Sequence, residues 1–306
     1  MSKGNAGERF DMRQPAVVYA VKQGERRVIG GKEMMTRWFS PMIGFLVVSV
    51  ITLYTGVACA GVTLTSVFNN VPSCEGLKTG WGYACLIEGM DKTVLFDTGA
   101  DGHTLLFNMK HLGKKPADVD IIVLSHIHHD HIGGLEAFLA VNPHVTVYMP
   151  ASFPSSVKDS IGAHKASVVA VTGPMQITPA IFTTGEMGLS IKEQALVLET
   201  AKGLVVVTGC AHPGVANMAR QAKELYKGPL YCVMGGFHLA GASDTTIQQV
   251  IAEMKSLDVK TVAPSHCTGE GARALLKAAW GADFLDGGLG AVVEIERKPV
   301  DDRRQK

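Results

Sequence analysis

LSHIHHDHIGGL, residues 124–135, is the stretch that decides the reading. It follows DIIVLSH (120–126), a continuous apolar run of the kind that forms a strand buried on both faces. His126, His128, Asp130 and His131 then fall within six residues. Residues two apart at a strand end point the same way, so His126 and His128 share a face. Asp130 and His131 follow in the turn before GGLEAFLAV (133–141), which is predicted to be a helix. The pattern offers two pairs of ligands to two adjacent divalent cations. Imidazole suits zinc or iron(II), and a carboxylate adds a harder oxygen donor that also accepts manganese. Gly133 and Gly134 let the backbone pass close beneath such a centre. His129 breaks the alternation and is expected in a supporting or solvent-facing position. A merely polar, histidine-rich loop is the bland alternative. The buried strand that aims the loop, and further histidines downstream, weigh against it.

Working outward, VTLTSVF (62–68), YACLIEG (83–89) and TVLFDTG (93–99) alternate or branch like strands. A helix is expected over 102–111, a strand over 145–150 and a helix over 151–162. Shorter strands are expected near 168–171, 180–183 and 195–199. GLVVVTG (203–209), PLYCVMGG (229–236) and TVAPSH (261–266) are further strands. Helices over 214–226, 243–256 and 269–279 follow them in turn. A last strand pair near 282–285 and 290–296 closes the domain. Antiparallel strands followed by alternating β and α units predict an α/β fold, with two mixed sheets face to face and helices outside.

SHIHHDHIGG resembles the HxHxDH signature of the metallo-β-lactamase superfamily, and the likeness extends over nearly all of 62–296. It implies the αββα sandwich of that superfamily. It also implies that Asp97, in LFDTG, holds the loop by hydrogen bonds, and that His266, in PSHCTG, is a late metal ligand. VVVTGCAHPGVANM (205–218), VMGGFHL (233–239), APSHCTG (263–269), TTGEM (183–187) and EQAL (193–196) are similar to one branch. These are the dihydropterin-synthase-like proteins, which contain the methanogen ribofuranosyl-aminobenzene phosphate synthases. By that likeness His212 completes the first metal site. Many superfamily hydrolases place a bridging Asp where this chain has Cys210. Cys210 is either a thiolate ligand, since soft donors bind zinc well, or a small buried residue. His238, after a Gly-Gly turn at a strand end, is assigned to substrate binding or proton transfer, with a structural or ligand role as alternatives. Cys267 and Thr268 adjoin a ligand and are expected to tune it. Glu186 is as readily a solvated loop acid as a site residue. His103, His111, His144 and His164 are isolated and expected on the surface.

The N-terminal part has another character. MIGFLVVSVITLYTGVACA (42–60) is uncharged, follows Arg26, Arg27, Lys32 and Arg37, and ends in Ala58-Cys59-Ala60. That is the form of a secretory signal, with cleavage after Ala60. A retained anchor is the alternative, since this length just spans a bilayer. A lipid-modified Cys59 and twin-arginine export through Arg26-Arg27 are further readings. A start at Met34 or Met35 would give a signal of ordinary length. The expected organisation is therefore an extension and signal or anchor over 1–60, and one catalytic domain over 61–306. The domain would be periplasmic or secreted, or held outside the cytoplasm by an anchor, touching membrane only through 42–60.

Lys and Arg number 29 against 28 Asp and Glu, a net charge of +1. This provides no basic footprint for nucleic acid. The expected partner is a small-molecule substrate. Five cysteines follow Ala60, an odd number that excludes full pairing within the chain. Cys74 and Cys85 could bridge in an oxidising compartment, and Cys232 is expected to be a core thiol. No G-x-S-x-G elbow or phosphate-cradling P-loop is present. The expectation is a metal-dependent hydrolase that activates water at a dinuclear centre, with Asp130 as ligand and proton acceptor and His238 as proton donor. The alternative is a transferase or synthase on a pterin-like phosphorylated substrate.

Overall fold

The computed structural model describes residues 61–298 and the backbone of Val18–Ala20; the export segment expected at 42–60 lies outside the described residues. In chain order the first half holds β1 (Val18–Ala20), β2 (Val62–Asn69), β3 (Tyr83–Glu88), β4 (Val94–Phe96), α1 (Gly102–His111), β5 (Ile121–Val123), α2 (His129–Ile132), α3 (Leu135–Val141), β6 (Thr146–Pro150), α4 (Ser155–Ala163) and β7 (Ser167–Val171). The second half holds β8 (Met175–Thr178), β9 (Ile181–Thr183), β10 (Leu196–Thr200), β11 (Gly203–Thr208), α5 (Val215–Tyr226), β12 (Leu230–Gly236), α6 (Asp244–Ser256), β13 (Thr261–Ser265), α7 (Glu270–Trp280) and β14 (Val292–Ile295).

Two sheets result, ordered β1-β14-β2-β3-β4-β5-β6-β7 and β13-β12-β11-β10-β9-β8. In each, hairpin-linked antiparallel strands give way to parallel ones: β4 to β7 in the first, β11 to β13 in the second. Parallel neighbours need crossovers, and the helices supply them. Three apolar layers follow. Leu64, Phe96, Val123, Leu196, Val205 and Met234 fill the space between the sheets. Leu105, Phe138 and Ile161 pack α1, α3 and α4 on one outer face. Val215, Met218, Ala219 and Ala222 on α5, with Ile247 and Leu276, pack the other. The α5 positions follow the i, i+3, i+4, i+7 spacing of one helical face. Burying a side chain of this size contributes about 1.5–3 kcal/mol, so the αββα order is the one that covers every apolar face. Pro264 lies inside β13, which is tolerated because β13 is an edge strand.

Some local expectations are corrected. No strand forms over 282–285. Gly281, at φ 57°, ends α7 and a 3₁₀ turn follows, leaving only a bridge between Phe284 and Val262. β8 was not expected; the Gly173-Pro174 turn before it hides a short segment. The ladders of β4 and β5 stop at Phe96 and Val123, short of their apolar runs, because Asp97 turns left-handed at φ 57°. Cys74 and Cys85 are both free: Cys85 is buried in β3 and Cys74 lies in the loop beyond β2. Cys232 sits in the core between the sheets. Among the described residues, no helix is long and apolar enough to cross a membrane.

Candidate metal centre

The parallel strands of both sheets end at one edge, where ligands collect in folds of this kind. Residues just past β4, β5, β11, β12 and β13 are Asp97, His126, Cys210, His238 and His266. Four non-glycine residues there adopt left-handed backbone: Asp97 (φ 57°), Ala211 (62°), His238 (52°) and His266 (50°). Each such residue costs about 1–2 kcal/mol, which the surrounding packing offsets, and such strain concentrates at functional sites.

Asp130, His131, Cys210 and His266 form one donor set whose ligand atoms all lie within 4.8 Å of one another, and His126, Cys210 and His212 form a second. Cys210 belongs to both. Its sulfur is 3.2 Å from His131 Nε2 and 3.5 Å from His266 Nε2. Asp130 Oδ2 lies 3.3 Å from His266 Nε2 and 3.5 Å from His131 Nε2. His128 joins the second set through Nδ1, 3.1 Å from His126 Nε2, with its ring 4.9 Å from that of His212. His238, an exposed ring 4.4 Å from the His212 ring, makes a third set with Cys210 and Cys267.

Outer partners aim the rings. His131 Nδ1 bonds Asp97 Oδ2 at 2.7 Å, His126 Nδ1 meets Ser125 Oγ at 2.9 Å, and His266 Nδ1 meets Asn70 Oδ1 at 2.7 Å. Each bond leaves Nε2 facing inward, the arrangement that orients metal-binding histidines. Asp97 also accepts the Ser125 N–H and hydroxyl, both at 2.7 Å. The glycines fit closely: a Cβ on Gly134 would lie 2.2 Å from the Thr98 carbonyl oxygen, and one on Gly133 2.3 Å from that of Ala100.

The donor set fits divalent cations. His212 Nε2 is buried and has no hydrogen-bond partner, an arrangement that costs free energy unless something ligates it. Burial, then the neighbouring imidazoles, hold the proton affinity of His126 far below the usual histidine range, keeping it a neutral ligand. Burial with His238 and His128 brings His212 to about 4. Burial raises the Asp130 carboxyl, but the bond to His266 and the nearby His131 outweigh it and leave it at about 2. His131 loses proton affinity to burial and regains more from Asp97. The two thiols act as a pair. The proximity of Cys210 and His238 lowers the Cys267 thiol, and the same proximity together with burial raises Cys210.

The histidines and Asp130 singled out in the sequence thus come together, as do Cys210, Asp97 and Cys267. His129 is exposed. Glu186 lies off the centre, accepting the Ser152 N–H at 2.6 Å. Three residues were missed. Glu193 is fully buried, and its carboxylate accepts the N–H groups of Gly209 (3.1 Å), Cys210 (3.0 Å), Ala211 (2.8 Å) and His212 (2.8 Å). It holds the loop that carries two donors. Burial raises it to about 7, against the pull of those amides. EQAL was its only signal in the sequence. Asn70 and Ser125 were also missed and carried no motif.

The fold and centre define an αββα protein with a cluster of candidate metal donors at the joined ends of two sheets. The metallo-beta-lactamase superfamily profile matches residues 82–266, and the chain belongs to that superfamily. It is 29% identical over 263 residues to the 7,8-dihydropterin-6-methyl-4-(beta-D-ribofuranosyl)-aminobenzene-5'-phosphate synthase of Methanocaldococcus jannaschii, covering 70% of this chain and 90% of that one. It is 30% identical over 246 residues to an uncharacterized protein of the same organism, covering 70% and 93%. The crystal structure of a metal-dependent hydrolase of the beta-lactamase superfamily superposes with a TM-score of 0.65 at 26% identity, covering 77% of this chain and 99% of that one.

Proposed function

We propose that this chain is a metal-dependent hydrolase of an ester, amide or phosphoester-type small molecule, working at a dinuclear centre. The observation that carries the reading is the pair of donor sets sharing Cys210. Asp130, His131 and His266 would hold one cation, and His126, His128 and His212 the other, with Cys210 between them. Zinc suits this imidazole and thiolate set best; iron and manganese are the alternatives. When bound, such a pair supplies Lewis-acid polarisation and water acidified toward neutral pH. The protein does the rest. Asp97, Ser125 and Asn70 fix the imidazole tautomers. Asp130, ionised at neutral pH, would accept a proton from water. His238, beside His212, would protonate the leaving group.

A second reading has its own support. The methanogen relative is a synthase, and at 29% identity a transfer reaction on a pterin-like phosphorylated substrate is the competing assignment. Fold does not decide between them. The test is a screen of metal-loaded full-length protein on chromogenic phosphodiester, lactone, thioester and β-lactam substrates, beside a pterin-dependent synthase assay. Turnover of a simple ester that chelator and His128→Ala abolish supports the hydrolase. A pterin-dependent product without simple hydrolysis supports the synthase. Tight metal with no turnover of any kind contradicts both and leaves a binding protein.

The apolar segment 42–60 supports export, with the domain outside the cytoplasm. Cleavage after Ala60 would remove β1 and leave β14 as a sheet edge. N-terminal sequencing of protein from its native cells tests this: Gly61 as first residue supports cleavage, and an intact 42–60 in a membrane fraction supports the anchor.

A further inference from the structure

Trp81 leaves 58% of its surface exposed, beside one of the donor histidines. A tryptophan ring is among the largest apolar surfaces available to a chain. Its exposure does not come from a loose loop. Gly80 N–H donates to the Asn69 carbonyl at 3.2 Å. A Cβ on Gly80 would lie 2.8 Å from Phe68 Cζ, and one on Gly82, at φ 143°, only 2.3 Å from the carbonyl oxygen of Asp130. The backbone on both sides is pressed against Phe68 and against the main chain of a donor residue. The one large side chain between these glycines is turned outward and toward the centre. Its ring centroid is 5.1 Å from that of His266, tilted by 57°.

A second exposed apolar residue lies in a loop that packs near His212. Leu189 is 96% exposed in the loop that Met187 and Glu193 clamp through paired backbone bonds of 2.9 and 3.0 Å. A Cβ on Gly188 would lie 3.3 Å from Pro213 Cγ, so this loop rests against the residue after His212. Trp81 therefore borders the donor set of Asp130, His131 and His266, and the Leu189 loop borders that of His212. An exposed aromatic ring thus borders a centre whose interior is polar. A ligand matched to this carries an anionic or electrophilic group for the centre and a flat apolar group for its rim.

We propose that Trp81 is a stacking platform for a planar aromatic group of the substrate, which makes it a specificity-determining residue; this rests on the metal-dependent reading above. Offset or tilted aromatic pairs gain affinity beyond the area they bury. The ring would lie on Trp81 while the reacting group reaches the donors beyond His266.

The test is calorimetric binding of two non-hydrolysable probes to the metal-loaded full chain: methylphosphonate, which offers only an oxyanion, and naphthylmethylphosphonate, which adds a planar ring. The naphthyl probe is expected to bind about tenfold more tightly and to quench tryptophan emission. Trp81→Ala is expected to bring the two affinities together through a loss of naphthylmethylphosphonate binding. Trp81→Phe should keep part of the preference. Equal binding of the probes to the unmodified protein overturns the proposal, and so does a preference that survives Trp81→Ala. Failure of both probes to bind the unmodified protein overturns the metal-dependent reading itself, and this proposal with it. Methylphosphonate binding alone separates the two failures.

Discussion

The carboxylate of Glu193 accepts the backbone N–H of Cys210 at 3.0 Å, and with the same carboxylate those of Gly209, Ala211 and His212. One buried acid from the loop before β10 thus shapes the whole turn that presents Cys210 and His212. Its effect on any metal is indirect, through the position of two donors.

Glu193→Gln replaces one acceptor oxygen by an amide that faces N–H groups. Outer-shell changes of this kind typically cost 10–100-fold in metal affinity. The expected result is a loss of that order, concentrated in one of two equivalents, with the β-rich fold retained. Competition with a chromophoric chelator measures it, and two equivalents held as tightly as in the unmodified protein would contradict the assigned role.

Asp97→Asn acts on the other donor set. Asp97 bonds Ser125 N–H, Ser125 hydroxyl and His131 Nδ1, each at 2.7 Å. An amide cannot accept all three. His131 then loses the bond that keeps Nε2 facing inward. We expect a fall in metal affinity of about 10–100-fold and a lower melting temperature, read by elemental analysis and by thermal denaturation.

Cys210→Ser tests whether the shared sulfur is a ligand. In the cobalt-loaded protein, thiolate coordination gives an intense charge-transfer absorption. That band is expected in the unmodified protein and absent from Cys210→Ser. It should persist in Cys232→Ser, since Cys232 lies in the core between the sheets.

Asp101 provides a prediction away from the centre. It caps α1, accepting the Thr104 N–H at 2.8 Å. Replacing such a cap by Ala costs about 1 kcal/mol. The bonds from Thr104 hold the Asp101 carboxyl below its ordinary 3.8. A depressed carboxyl stabilises the fold above its unfolded value and loses that contribution as pH falls through the folded one. The gap in stability between native protein and Asp101→Ala should therefore be full at neutral pH and close below pH 3.8. Chemical denaturation of both across pH measures it.

The fold was legible because its signals are periodic. The buried strands GLVVVTG and PLYCVMGG and the amphipathic face of α5 each carry the pattern of the layer they occupy. His126, His128, Asp130 and His131 were legible because a strand end and one turn place them together. His212 and His266 lie far along the chain, and only family likeness tied them to that cluster. Glu193, Asn70 and Ser125 were not legible. Their work is done by bonds to backbone or to one ring nitrogen, across separations of 16–19 residues for Glu193 and 196 for Asn70. No spacing rule records such a bond. Trp81 escaped notice because exposure depends on how Gly80 and Gly82 seat the loop, which composition does not show.

On the proposed reading, the donors surround a pair of cations with Cys210 between them. Anomalous diffraction from crystals of the metal-loaded protein tests it most directly. Two peaks about 3.5–4 Å apart are expected, one against Asp130, His131 and His266, the other against His126, His128 and His212, both within bonding distance of the Cys210 sulfur. A single peak, or peaks outside these two sets, would contradict it.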